Sequence, residues 1–214
     1  MPASADVVLT FDSDTEGFAV TGTTTGAVVS HAIVGGEGML KLEAPAGWAG
    51  DMAKLDASNW SSALFDEVTA AAVNGGTISY DVLILESDQT YTTAPQWFET
   101  THITQGEFAG YDSDTVRYGL NSGSWPLAGG QFATTVVAPI TTTAPGADDV
   151  SGYFDVTDTW RNFHFGLNND SGNLTGNAVV YFDNLTFSAN AVPEPSTLAI
   201  LGAFGLIGMV RRRR

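Results

Sequence analysis

An all-β sandwich is the fold class this sequence predicts, on three observations. Short runs rich in Val, Ile, Thr and aromatic residues alternate with clusters of Gly, Asn, Asp and Thr. One run has strict two-residue periodicity, with Ile78, Tyr80, Val82 and Ile84 on one face. No strand–helix unit recurs, so the sequence does not read as a parallel α/β sheet. The 214 residues, 43% of them apolar, suffice for one domain with a full core.

The elements follow in order. Residues 7–12 form the first predicted strand. Residues 27–34 and 39–43 flank a turn at Gly35-Gly36-Glu37-Gly38. The alternating strand covers 77–86, and 97–104, 115–121 and 132–140 come next. Residues 160–167 put Phe163, Phe165 and Leu167 on one face, and 178–187 close the domain. About ten strands with frequent turns specify a sandwich or jelly roll. Residues 58–74 break the pattern: Trp60, Leu64, Val68 and Ala71 fit a helical stripe, with Ser58 or Asn59 to cap its start and Gly75 to end it. Trp60 and Trp160 are read as core residues.

Charge separates the body from the tail. Residues 1–190 hold 23 of the 24 acidic residues against four basic ones, a formal charge of −19. The other four basic residues are Arg211, Arg212, Arg213 and Arg214. So acidic a body repels phosphate backbones, which argues against nucleic-acid binding. The absence of cysteine excludes thiol catalysis and Cys-based metal centres. Ala3-Ser4-Ala5 has the form of a signal-peptidase site, so residues 1–5 are expected to be a signal-peptide remnant. The sandwich then spans 6–188, a short linker 189–192, and a tail 193–214.

The tail carries the most specific motif. Pro193-Glu194-Pro195 precedes a 14-residue apolar run over 197–210, and four arginines end it. As a helix the run is roughly 21 Å long against a hydrocarbon core of about 30 Å, which suits a transient membrane segment. The arginines stay cytoplasmic by the positive-inside rule, which places the body outside. Motif, apolar run and Arg cluster in this order resemble the PEP-CTERM sorting signal. That resemblance implies recognition by an exosortase at the inner membrane of a Gram-negative bacterium, removal of the tail, and residence on the surface or in an exopolysaccharide or biofilm matrix. The alternative is an ordinary tail anchor.

Two parts of the body resemble carbohydrate-binding modules with a galactose-binding-like jelly roll. Phe11-Asp12-Ser13-Asp14-Thr15-Glu16-Gly17-Phe18 is similar to their opening, and Val180-Tyr181-Phe182-Asp183-Asn184-Leu185 to their last strand. Residues 160–168 resemble the strand before it. Gly75-Gly76-Thr77-Ile78-Ser79-Tyr80-Asp81 is similar to a strand of laminin B-type domains, a related jelly-roll alternative. The expected fold is therefore an all-β galactose-binding-like sandwich with a C-terminal hydrophobic tail helix, its first and last strands close together.

Candidate ligands follow from residue chemistry. Asp12, Asp14 and Glu16 alternate as hard oxygen donors suited to Ca²⁺, but position twelve of an EF-hand loop would be Thr23 rather than Glu, so that motif is rejected. The carbohydrate-module resemblance implies instead a structural Ca²⁺ on Asp12, Asp14 and Asp183 with carbonyls near 38–41. The other reading of these acids is solvated turn chemistry. Sugar rings stack on aromatics and their hydroxyls need polar partners, which singles out Trp97, Trp125, Tyr91 and Tyr111 in polar segments, with Arg117 and Asn121 on one strand face. His31, His102 and His164 show no metal-ligand spacing, and no nucleophile elbow occurs. The function expected is a non-catalytic glycan-binding protein. A matrix protein without a sugar site is the alternative, and a polysaccharide-cleaving enzyme, which would need two paired carboxylates, comes last.

Overall fold

The computed structural model describes residues 6–21, 26–45, 52–91, 98–118, 127–142, 152–169 and 174–190. The expected tail helix lies outside these. Within them, twelve strands and one α-helix form two facing sheets. The strands are β1 (Val7–Leu9), β2 (Phe18–Thr21), β3 (Val28–Val34), β4 (Glu37–Ala44), β5 (Met52–Leu55), β6 (Thr77–Leu85), β7 (Phe98–Gly106), β8 (Gly110–Tyr118), β9 (Gln131–Thr141), β10 (Gly152–Tyr153), β11 (Arg161–Asn169) and β12 (Ala178–Ser188). The helix is α1 (Ser62–Asn74).

The larger sheet runs β10-β9-β6-β12-β4-β3, and the smaller runs β2-β5-β11-β7-β8. Every pairing is antiparallel except β10 on β9. The last strand sits at the centre of the larger sheet. One edge of β12 pairs with β6. Its other edge is shared: β4 covers residues 178–182, and β1 covers 185–187. First and last strands are thus neighbours, as expected.

Alternation builds the core. Ile78, Tyr80, Val82 and Ile84 of β6 point inward, as their spacing predicts, and meet Phe163, Phe165 and Leu167 of β11 across the gap. Phe165 stacks on Phe182 with ring centres 4.1 Å apart, and Tyr80 and Phe18 flank it at 4.9 and 5.5 Å. Such aromatic pairs add about 0.5–1.5 kcal/mol each beyond the area they bury. The Tyr80 hydroxyl is hydrogen-bonded to His102 Nδ1 at 3.0 Å, so the polar end of a core tyrosine is satisfied.

The helix starts later than the sequence suggests. Asp56 accepts from both the N–H and the hydroxyl of Ser58, and residues 57–59 close a single 3₁₀ turn. Ser58 is therefore committed, and Ser61 caps α1 by accepting from Leu64 N. Trp60 precedes the helix and packs on Phe154, Phe187 and Phe65. The other end agrees with expectation: Gly75 takes φ 74° and caps it.

One core assignment is corrected. Trp160 was expected inside, yet it is 37% exposed, because β11 begins one residue later at Arg161. Arg161 is fully buried instead. Its guanidinium lies 4.2 Å from the Phe65 ring centre and donates to Phe65 O, Thr69 Oγ1 and Asp155 O. Burial lowers its pKa, and the Asp158 carboxylate at 3.8 Å opposes that shift. Asp158 also accepts from the N–H groups of Phe108, Ala109 and Asp155. This charged knot pins α1 to the start of β11.

Candidate functional site: the outer face of the five-stranded sheet

The two sheets differ in what they present outward. On β7 and β11, residues of both parities are buried. Inward stand Phe98, Thr100, His102 and Thr104 of β7, with Phe163, Phe165 and Leu167 of β11. The register sets a second, polar row on the other side: Asn162 opposite Gln105, His164 opposite both Lys54 and Ile103, and Gly166 opposite Thr101. Asn162 Nδ2 donates to Gln105 Oε1 at 3.1 Å. Lys54 is half-buried and pairs with Asp56 at 2.6 Å, which lowers the Asp56 pKa to about 2.

His164 is the anomaly in this row. It is 7% exposed, yet its Nε2 finds no hydrogen-bond partner among the described residues. A buried polar atom without a partner costs about 1–3 kcal/mol, so it marks a place where a partner is due. Burial and the neighbouring Lys54 ammonium lower its pKa to about 4, against a smaller opposing effect of Asp56. At neutral pH the imidazole is uncharged and offers one donor and one acceptor nitrogen.

The predicted ligand residues divide. Tyr111 and Arg117 lie on β8, paired in register with Gln105 and Glu99. Trp97, Asn121 and Trp125 lie outside the described residues. Tyr91 stands apart. It packs against the core, donates to Glu86 Oε1 at 3.0 Å, and lines an open groove of about 740 Å³ with Glu86, Gln89 and Thr90. Sequence reasoning missed Lys54, Asn162 and His164. Their alternation with Phe163 and Phe165 was the available signal, since it places 162 and 164 on the face away from the core.

The predicted metal residues gather in part, at the junction on β12. A bulge interrupts the pairing with β6 between Asp183 and Thr186, and Asn184 takes φ 52°. Asp183 is buried and faces Asp81 directly in register. The Asn184 side-chain amide donates to both carboxylates, at 2.9 Å to Asp81 and 3.3 Å to Asp183. Burial raises the Asp183 pKa, and Asp81, Glu37 and Asp12 raise it further. Close by, a Cβ on Gly38 would meet the Phe11 and Asp12 carbonyl oxygens at 2.4 and 2.6 Å, so only glycine fits there. Asp14 is exposed, and its carboxylate accepts from Glu16 N at 2.7 Å. Among the described residues no three His, Cys, Asp or Glu side chains group as a metal site.

Three of the buried carboxylates are engaged by the fold itself. Asp158 is held by backbone N–H groups and Arg161, Glu67 accepts from Ala189 N, and Asp183 accepts from Asn184 N. These engagements are structural ones.

Comparison with known proteins fits this architecture. The PEP-CTERM protein-sorting motif matches residues 191–214. No curated protein matches the chain. Among solved structures, the C-terminal family 22 carbohydrate-binding module of a Clostridium thermocellum xylanase superposes with a TM-score of 0.51 at 11% identity, over 90% of this chain and 99% of that one. A xylan-binding domain of family 22 does so with a TM-score of 0.51 at 12% identity, over 87% and 96%. At such identities the likeness is one of fold. The chain therefore carries a sorting motif of exported, surface-associated proteins behind a body with the jelly-roll fold of non-catalytic carbohydrate-binding modules.

The His164 environment predicts a pH dependence. A folded-state pKa near 4 lies below the ordinary value of 6.5, so the unfolded chain takes up the proton first. The stability from keeping the imidazole neutral is complete above pH 6.5 and falls as pH drops from there toward 4. Urea unfolding at pH 7 and pH 4.5 should show a larger loss for the parent than for His164→Gln. Equal losses would contradict this.

Proposed function

We propose that this protein is an exported, non-catalytic module that binds polysaccharide on the outer face of its five-stranded sheet. The observation that carries the reading is the buried Nε2 of His164, without a partner among the described residues, in a row of polar side chains. A sugar hydroxyl can act as donor or acceptor toward such an atom. Asn162 and Gln105 continue the row, and β8 pairs Tyr111 in register with Gln105 and Arg117 with Glu99. Trp160, exposed at the start of β11, offers a stacking surface beside it. The similar family 22 structures include a xylan-binding domain, which makes xylan the first ligand to try; the sorting motif adds the cell's own surface polysaccharide.

In this reading the tail directs the chain to an exosortase, which removes it at the inner membrane of a Gram-negative cell, and the acidic body stays at the surface or in the matrix. The test is a glycan array on the parent and two variants. His164→Ala should lower affinity for the best ligand about five- to tenfold, the worth of one or two neutral hydrogen bonds. Thr135→Ala, on the outer face of the other sheet, should leave it unchanged. A protein that binds no glycan would favour the adhesive matrix role. Equal affinities of parent and His164→Ala would remove this face as the site.

The galactose-binding-like resemblance adds a structural Ca²⁺ to the proposal. Asp183 and Asp12 would hold it with the Phe11 and Asp12 carbonyls. Two facts support it: several acids crowd Asp183 with no cation among the described residues to offset them, and both Phe11 (φ 53°) and Asn184 (φ 52°) hold strained backbone beside them. Asp14, bound into its own turn, is the weakest member of the predicted set. A raised carboxyl pKa means stability falls as pH rises through that raised value. In chelator at pH 7, Asp183→Asn should therefore melt above the parent, and the gap should close in acid. Millimolar Ca²⁺ should raise the parent by several degrees and leave the variant unmoved. A parent insensitive to Ca²⁺ would refute the site.

A further inference from the structure

The folded body does not end loosely before the sorting motif. Ser188 Oγ donates to Asp6 Oδ1 at 2.7 Å. Ala189 N donates to Glu67 Oε1 at 2.9 Å, and Glu67 is buried in α1. The Asn190 side-chain amide donates to the carbonyl oxygens of Gly75 and Asn74 at the C-terminal end of the same helix. Gly76 makes the approach possible. A Cβ there would stand 2.1 Å from Ser188 O and 2.6 Å from the Ala71 side chain. The segment expected to be a free linker from 189 is thus held to α1 through Asn190.

The matched motif begins at residue 191, and Pro193 stands three residues beyond the held Asn190. Three extended residues span at most about 11 Å. While residues 188–190 stay hydrogen-bonded into the body, this short tether is all that separates the motif from the folded surface.

We infer that the contacts of Ser188, Ala189 and Asn190 with Asp6 and α1 form a clamp that limits access of the membrane-embedded sorting enzyme to the Pro-Glu-Pro motif. Processing then proceeds from the fraction of molecules in which these residues have peeled away, and the α1-capped end of the body is the surface that abuts the enzyme. Such end-fraying is local and needs no global unfolding. The inference rests on the sorting reading of the tail.

Pulse–chase in the native host tests it on the full chain. A ten-residue Gly-Ser linker inserted after Asn190 moves the motif clear of the clamp, and should raise the rate of tail removal about tenfold. Asn190→Ala breaks one arm and should raise it by a smaller factor, about fivefold, as for one neutral hydrogen bond. Melting temperatures of both variants should match the parent, since neither touches the core. A linker variant processed no faster than the parent would overturn the clamp. Retention of Arg211, Arg212, Arg213 and Arg214 in parent and variants alike would overturn the sorting reading beneath it.

Discussion

The fold depends on one constraint, that the last strand must pair with three others. β12 takes β6 along one edge and divides its second edge between β4 and β1. Two strands cannot meet on one edge without a change of path. The change falls at Asp183-Asn184, where the ladder bulges and Asn184 enters the left-handed region. Gly38 makes room for the Phe11–Asp12 backbone at the same point. Acids collect here because polar side chains face outward at a strand junction, and the Asn184 amide bridges two of them. The inward side of β12 is apolar throughout, and its Phe182 and Phe187 meet Phe165 and Phe163 to lock the sheets together.

The smaller sheet follows from that locking. With Phe163 and Phe165 committed to the core, the intervening residues of β11 must face away from it. Asn162 and His164 occupy those positions, so the sheet presents polar groups where a merely structural sheet would need only solvated ones. Burial of this row keeps the imidazole neutral, and its Nε2 has no partner among the described residues. At the opposite side of the chemistry stands Arg161, whose inward charge is balanced by Asp158, whose Nη1 donates to α1 and whose Nη2 donates to Asp155 O. The buried cation is structural because both its Nη atoms donate into the fold and Asp158 balances its charge. The His164 imidazole is the candidate for binding because it stands on the side of β11 away from the core, with no partner for its Nε2 among the described residues.

Much of the sandwich was legible in the sequence. The alternation in 77–86 named the inward face of β6, and Gly75 marked the helix end. β2 and β5 were not legible, because four residues give too few alternations to separate a strand from a loop. The helix start was misread because Ser58 and Ser61 are equally good caps until Asp56 claims the first. Trp160 was misplaced for a similar reason: residue type alone puts tryptophan inside, whereas the start of β11 at Arg161 decides it. Of the proposed site, residue chemistry and resemblance had already singled out Tyr111, Arg117, Asp12 and Asp183 as candidates. His164 was not among them, because its significance lies in what surrounds it across three strands. That pairing is a long-range property no local pattern encodes.

The claim on which the functional account turns is that ligand reaches the outer face at His164. Nitrogen-resolved NMR of the imidazoles tests it directly, since the chain has 3 histidines and each occupies a different environment. His31 lies on β3 of the larger sheet, His102 faces the core, and His164 faces outward from β11. With the best-binding glycan at saturation, the His164 signals should shift while those of His31 and His102 stay in place. A saturated complex in which His164 does not move would contradict the account.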